Sequence, residues 1–164
     1  PAMAGVVAEA GCPCILMHMQ GTPKTMQTAP RYTDVVDDIK AFFEERIAFA
    51  LSEGIPRENL WIDPGFGFGK TPDQNLELLR RLREFKTFGL PILVGTSNKS
   101  TIGHVLDVPV NERMEGTAAT VAIAIWNGAN AVRVHDVKAM ARVARMTDAI
   151  RGVWPGNRPE TGSR

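Results

Sequence analysis

Leu60-Trp61-Ile62-Asp63-Pro64-Gly65-Phe66-Gly67-Phe68-Gly69-Lys70-Thr71-Pro72-Asp73-Gln74 is the stretch on which the fold turns. Its first four residues are a short apolar run ending in a carboxylate, the pattern of a buried strand. Its last four read as an N-cap, a proline at the first helical position and a Gln closing a capping box, and the helix they open continues through Leu76, Leu79 and Leu82. Three glycines lie between. Strand, glycine loop and helix make one βα unit, and the same order recurs on either side of it.

Upstream, Cys14-Ile15-Leu16-Met17-His18-Met19 reads as a strand. The segment from Asp34 to about Ser52 then reads as a helix with Val35, Ile39, Phe42, Phe43, Ile47 and Ala50 on one stripe. Downstream, Pro91-Ile92-Leu93-Val94-Gly95 is a third strand, followed by a short turn from Ser100 to Leu106. An Ala-rich helix over about Asn111 to Asn127 comes next, with Gly128 placed to end it. Ala131-Val132-Arg133-Val134-His135 is the fourth strand, and Asp136 caps a last helix whose inward face is Met140, Val143, Ala144, Thr147 and Ile150. Residues 1–9 read as the end of a helix and residues 152–164 as a Pro, Gly and Arg tail, so the expected division is 1–151 and 152–164.

Four parallel βα units make either a small open doubly wound sheet or half of a closed barrel, and periodicity does not choose between them. The placement of polar residues favours the barrel. His18, Asp63, Lys99, Arg133 and His135 all fall at or just past the C-terminal end of a strand, the active face in both folds, and in a barrel those ends converge on one mouth.

Composition narrows the function. The 164 residues carry 19 basic and 18 acidic side chains, a formal net charge of +1, interspersed rather than blocked. That balance offers no nucleic-acid face, so an anionic ligand needs a local site. Cys12 and Cys14 are too close in sequence for an unstrained disulfide and have no other soft ligands nearby, which points to reduced thiols in a cytoplasmic protein. No apolar run approaches the roughly 20 residues of a membrane span, and no signal-peptide pattern opens the chain.

Asp63 emerges from its strand into a glycine loop, where a carboxylate can accept from a ligand's N–H pair while the glycines allow close approach. The same residues also fit a helix-capping Asp with a flexible turn. The loop matches neither a phosphate-binding P-loop nor the dinucleotide fingerprint. After the third strand, Gly95-Thr96-Ser97-Asn98-Lys99-Ser100 brings a hydroxyl, an ammonium and backbone N–H groups to the start of a helical turn, a set that suits an anion or serves as an ordinary polar cap. Arg133 and His135, two residues apart on one strand, point to the same face. A phosphate or pyrophosphate between them would offset the burial of the cation, and so would an ion pair with a barrel carboxylate such as Asp63. His18 reads more readily as a structural histidine than as a ligand, and Met17 as a wall against a flat ring or as core. No paired acidic or two-histidine cluster marks a protein-only metal site.

Together, Leu16-Met17-His18-Met19-Gln20-Gly21, Asp63-Pro64-Gly65-Phe66-Gly67-Phe68-Gly69-Lys70, Gly95-Thr96-Ser97-Asn98-Lys99-Ser100 and Arg133-Val134-His135-Asp136-Val137 look like the dihydropteroate synthase family, in the same order and at similar spacing over almost the whole chain. The resemblance implies an α/β fold, a (β/α)₈ TIM barrel of the pterin-binding type with this chain as strands five to eight. It implies a transferase of folate biosynthesis, a cytoplasmic homodimer and sulfonamide target. That enzyme joins 7,8-dihydropterin pyrophosphate to 4-aminobenzoate and releases pyrophosphate.

By that likeness Met17, Asp63, Gly95 and Lys99 bind the pterin, and Gly67, Phe68 and Ser100 border the 4-aminobenzoate. Arg133 and His135 grip the pyrophosphate, and Lys99, Arg133 and His135 are the catalytic set. Mg²⁺ would come with the pyrophosphate, its protein ligand lying in an N-terminal half absent from these residues. The homodimer would use the helix over Asn111 to Asn127, whose Gly116, Ala118, Ala119, Ala122 and Ala124 permit close approach. Two departures stand out: the family usually has Ser-Arg-Lys-Ser where this chain has Ser97-Asn98-Lys99-Ser100, and the N-terminal half is missing. These 164 residues alone are therefore expected to turn over poorly. A pterin-binding methyltransferase domain and a non-catalytic half-barrel are the competing readings, the first having no need of the Lys99-Ser100 and Arg133/His135 anion set.

Overall fold

The computed structural model describes residues 2–22, 26 and 30–153. Helix α1 (Ala2–Ala10) leads into β1 (Cys14–Met17), α2 (Val35–Ser52), β2 (Leu60–Asp63) and α3 (Pro72–Arg80). After these come β3 (Leu93–Val94), α4 (Ser100–Leu106), α5 (Met114–Trp126), β4 (Ala131–Val132) and α6 (Val137–Ile150), with short 3₁₀ turns between. The expected tail beyond residue 153 lies outside the described residues.

β1 and β2 pair in parallel from Cys14↔Leu60 to Met17↔Asp63, and β3 and β4 pair in parallel through Leu93↔Ala131 and Val94↔Val132. A parallel bridge at Ile62↔Ile92, with Ile62 N–H donating to Pro91 O at 3.0 Å, joins the two pairs in the spatial order β1, β2, β3, β4. Three strands are shorter than their apolar runs. Past Met17 and Val132 the ladder thins to single bonds, His18 N–H to the Asp63 carbonyl and Arg133 N–H to the Val94 carbonyl, both 2.9 Å. The strand ends thus splay into loops that carry the polar residues.

The helix starts form where their chemistry requires. Asp34 Oδ1 accepts from Val36 and Asp37 N–H, and its other oxygen takes Arg81 at 2.7 Å. Thr71 and Gln74 complete a reciprocal capping box around Pro72. Asp136 accepts from Ala139 N–H at 2.8 Å, which keeps it off the face shared by Arg133 and His135.

One core lies under α2 and α3, where Val36, Ile39 and Phe43 meet Leu60, Ile62, Leu78, Leu82 and Phe85. Each such side chain contributes about 1.5–3 kcal/mol on leaving water. Cys14 and Leu16 turn toward this core, while Ile15 and Met17 remain 48% and 38% exposed on the other face of the sheet. A second cluster joins Val121 and Ile125 of α5 to Met140 of α6.

Two expectations need correction. Ile150 is 63% exposed, because α6 packs mainly against α5 and its buried stripe ends at Thr147, 7% exposed in the same last turn. The small residues of α5 are partly spent inside the chain: a Cβ at Gly116 would lie 2.3 Å from Ile102 Cγ2 of α4, and Ala124 is fully buried.

Candidate functional site

The C-terminal ends of the four strands bring most of the expected residues together. Asp63 ends β2 and is 8% exposed, with Oδ1 accepting from Gly65 N–H at 2.8 Å. Its other oxygen makes no hydrogen bond among the described residues. Burial pushes the Asp63 carboxyl above its ordinary range, while the Gly65 N–H and the charges of Lys99, Lys70 and Arg133 pull it down. None of these cations pairs directly with Asp63 among the described residues, so the carboxylate stays available to a ligand inside a cationic ring.

The loop after Asp63 is held from several sides. Phe66 is buried in the core and anchors its base. Gly67 N–H donates to Asn75 Oδ1 at 2.8 Å, and Asn75 in turn donates to Thr101 at 3.0 Å. Tyr32 O–H donates to the Gly69 carbonyl at 2.7 Å. Lys99 lies across this loop with its Nζ 3.9 Å from the Phe68 ring centroid, and a Cβ at Gly67 would come within 3.0 Å of Lys99 Cδ. Glycine at 67, with φ +80°, therefore leaves the Lys99 stem its place. Burial lowers the Lys99 ammonium from its ordinary value, against the opposing pull of Asp63.

Gly95, Ser97, Lys99, Arg133, Val134 and His135 line one small cleft at the ends of β3 and β4. Ser97 Oγ accepts from His135 N–H at 3.2 Å and lies 2.8 Å from His135 Nδ1. Ser97 Oγ thus holds both the backbone N–H and the ring Nδ1 of His135, which leaves Nε2 without a hydrogen bond among the described residues. Arg133 and His135 are exposed, so the expected burial of the cation is not found, and Arg133 forms no ion pair among the described residues, so the barrel-carboxylate partner considered from sequence is not what holds it. Met17 stands beside Asp63 in the strand register, two strands from this cleft. Ser100 opens α4 but does not line the cleft. Asn98 adopts φ +57°, a left-handed conformation that Asn tolerates well. Two larger clefts open at the opposite end, where Leu90, Pro91, Ala129 and Asn130 precede β3 and β4, and no strand C-terminus reaches them.

Three contributions escaped the sequence reading. Lys70 is 3% exposed, with Nζ donating to His18 Nδ1 at 3.0 Å and to the Gly65 and Phe68 carbonyls at 2.9 and 3.0 Å. Burial lowers it to about 7, and burial beside Lys70 lowers His18 to about 3. Asn75 was legible, being a polar residue one turn before Leu78 and Leu79 on a buried helix stripe. The Ser97 link to His135 crosses 38 residues and left no local trace. No group of three or more His, Cys, Asp or Glu side chains able to hold a metal occurs among the described residues. No described helix is long and apolar enough to cross a membrane.

The site is thus a buried carboxylate without an ion-pair partner among the described residues, near three cations at the C-terminal ends of parallel βα units. The family model described as pterin binding enzyme matches residues 1–135. The chain belongs to the pterin-binding enzyme family. Its relatives include the dihydropteroate synthase of Escherichia coli K12, 49% identical over 149 residues, which are 91% of this chain and 53% of that protein. The Synechocystis dihydropteroate synthase is 46% identical, covering 92% of this chain and 52% of its own length. Among solved structures, Yersinia pestis dihydropteroate synthase with a sulfonamide drug complex superposes with a TM-score of 0.91 at 43% identity, over 93% of this chain and 55% of that one. The Thermus thermophilus enzyme in complex with 4-aminobenzoate gives 0.86 at 41% identity, over 92% and 61%. The βα units are thus those of the pterin-binding TIM-barrel fold, and the chain spans about half the length of the curated relatives it matches.

Proposed function

We propose that this chain is the second half, strands five to eight, of a cytoplasmic dihydropteroate synthase, with residues 1–151 as barrel and 152–164 as tail. The observation that carries the reading is Asp63: a buried carboxylate with one oxygen fixed by Gly65 and the other free of hydrogen bonds among the described residues, near the charges of Lys99 and Arg133. Its free oxygen accepts from the pterin N–H edge, Lys99 meets the polar side of the ring, and Met17 and Gly95 form walls. Gly67, Phe68 and Ser100 border the 4-aminobenzoate.

In the reaction the 4-aminobenzoate nitrogen bonds to the pterin methylene carbon as the carbon–oxygen bond to pyrophosphate breaks, and the nitrogen loses a proton. Negative charge grows on the departing pyrophosphate, and the cleft of Arg133 and His135 supplies a guanidinium and an imidazole donor for it. Among the described residues no group of side chains forms a metal cage; Mg²⁺ would arrive with the pyrophosphate, to neutralise its charge, on a ligand outside this chain. Groups beyond these residues complete the active enzyme. A homodimer would form on the exposed apolar face of α5, where Ile123 and Trp126 are 48% and 47% exposed. The free thiols of Cys12 and Cys14 suit a reducing cytoplasm.

Asp63→Asn tests the reading. An amide cannot accept from two ring N–H donors as a carboxylate does, so dihydropterin affinity should fall by about 1.5–3 kcal/mol, roughly tenfold or more. Calorimetric titration of a dihydropterin into both proteins measures it, and equal affinities would refute the assignment. Independently, Arg133→Ala should weaken pyrophosphate binding by about tenfold or more. Competition by pyrophosphate unaffected by that change would move the anion elsewhere.

A further inference from the structure

Lys70 is the most deeply buried ammonium of the described chain, and no assigned role uses it. Burying an ammonium is costly unless each of its three N–H donors finds an acceptor. Here all three do: His18 Nδ1 at the end of β1, and the carbonyls of Gly65 and Phe68 in the loop after β2. Lys70 makes no ion pair with Asp63 among the described residues, so it is not a direct charge partner. Its bonds instead tie two strand ends to one loop.

The tie runs to Asp63 through a single residue. Gly65 gives its carbonyl to Lys70 while its N–H holds Asp63 Oδ1. Gly65 is also pressed against β1, where a Cβ would lie 1.9 Å from the His18 carbonyl oxygen. Phe68, the other loop acceptor, carries the Lys99 ammonium on its ring face. Both Asp63 and Lys99 are therefore set against a loop whose shape Lys70 fixes. A methionine of similar length would take this donor from the imidazole nitrogen and the Phe68 carbonyl, and would leave the Gly65 carbonyl only its bond from Phe68 N–H at 3.0 Å.

We propose that Lys70 is a positioning residue: bonded to His18, Gly65 and Phe68, it aims the free oxygen of Asp63 and seats Phe68 beneath Lys99. The inference deepens the reading of Asp63 as the pterin anchor and rests on it for the ligand. The experiment uses the full-length protein and compares Lys70→Met, His18→Leu and His18→Asn with the wild type. The Asn oxygen takes the place of Nδ1 and keeps an acceptor for Lys70, whereas Leu removes it. Two quantities are read: dihydropterin affinity, and the Gly65 amide resonance, which reports the N–H bond to the Asp63 carboxylate.

Lys70→Met and His18→Leu are expected to weaken dihydropterin binding by about tenfold or more and to move the Gly65 resonance. His18→Asn should keep the affinity within about threefold and leave the resonance in place. A residue that only stabilises the fold would lower the melting temperature yet leave the folded protein's affinity and the Gly65 resonance unchanged, and that result overturns the proposal. Should Lys70→Met fail to fold, the contrast between the two His18 variants decides in the same way. Should the wild type itself bind no dihydropterin, the functional reading fails. The Gly65 resonance then still judges Lys70, and an unmoved signal in Lys70→Met overturns its role.

Discussion

Gly65→Ala should lower the melting temperature by about 4–20 °C, at about 2–4 °C per kcal/mol for a chain of this size. Two effects add at this position. Gly65 has φ +72°, where an L-residue with a Cβ is strained by about 1–2 kcal/mol. The new Cβ would also lie 1.9 Å from the His18 carbonyl oxygen and 3.0 Å from its carbon, both backbone atoms at the end of β1. No rotamer relieves that overlap. The strand end or the loop must move, a further overpacking cost of about 1–3 kcal/mol. Gly89→Ala is the control, because Gly89 has φ +62° but nothing within 4 Å of its Cβ position. It should show the conformational part alone, about 1–2 kcal/mol. Thermal unfolding of both variants under one condition measures the difference. Equal losses would mean that the contact between β1 and the loop is not the constraint described here.

The contrast between Gly65 and the capping box shows what a sequence displays. Thr71, Pro72 and Gln74 act within one helical turn, so their pattern is complete in the chain and the helix starts at Pro72 as read. Leu60 to Asp63 is likewise a full strand, because both its neighbours pair with it. Arg133 and His135 share one face by strand parity, and both line the cleft with Gly95 and Lys99. Lys70 differs. In the chain it is a lysine after a glycine loop, where solvent exposure is the ordinary expectation; its burial comes from a histidine 52 residues away. The shortened strands and the inward use of Gly116 have the same origin, since each depends on an element that periodicity places in order but not in space. His18 read as structural for want of partners, and its partner turned out to be the residue that the sequence hid.

That pair leads to the second large effect, an acid sensitivity centred on His18. In the fold the imidazole is held to about 3, first by burial and then by the Lys70 charge, with Phe42 edge-on at 4.9 Å. The unfolded chain restores an ordinary histidine near 6.5. The folded value is the lower one, so the unfolded state binds the proton first, and stability is lost as pH falls from about 6.5 toward 3. The full loss is on the order of 4 kcal/mol, a large share of a typical domain's 5–15. Lys70 acts in the same direction at higher pH: lowered to about 7, it withholds stability below that value and returns it as pH rises toward 10.5. Asp34, held low by the Asp37 N–H and then by Arg81, and Glu84, held low by Arg81, also lose stability in acid, and Asp63, held high, opposes them. Wild type alone therefore cannot assign the slope. His18→Asn removes the imidazole and leaves those carboxylates in place, so the free-energy difference between variant and wild type should shift by several kcal/mol in the variant's favour from pH 6.5 to 3.5. Denaturant melts at intervals across that range measure it. Curves that fall in parallel would show that His18 does not carry the acid response, and that its ring is protonated in the fold as easily as in the open chain.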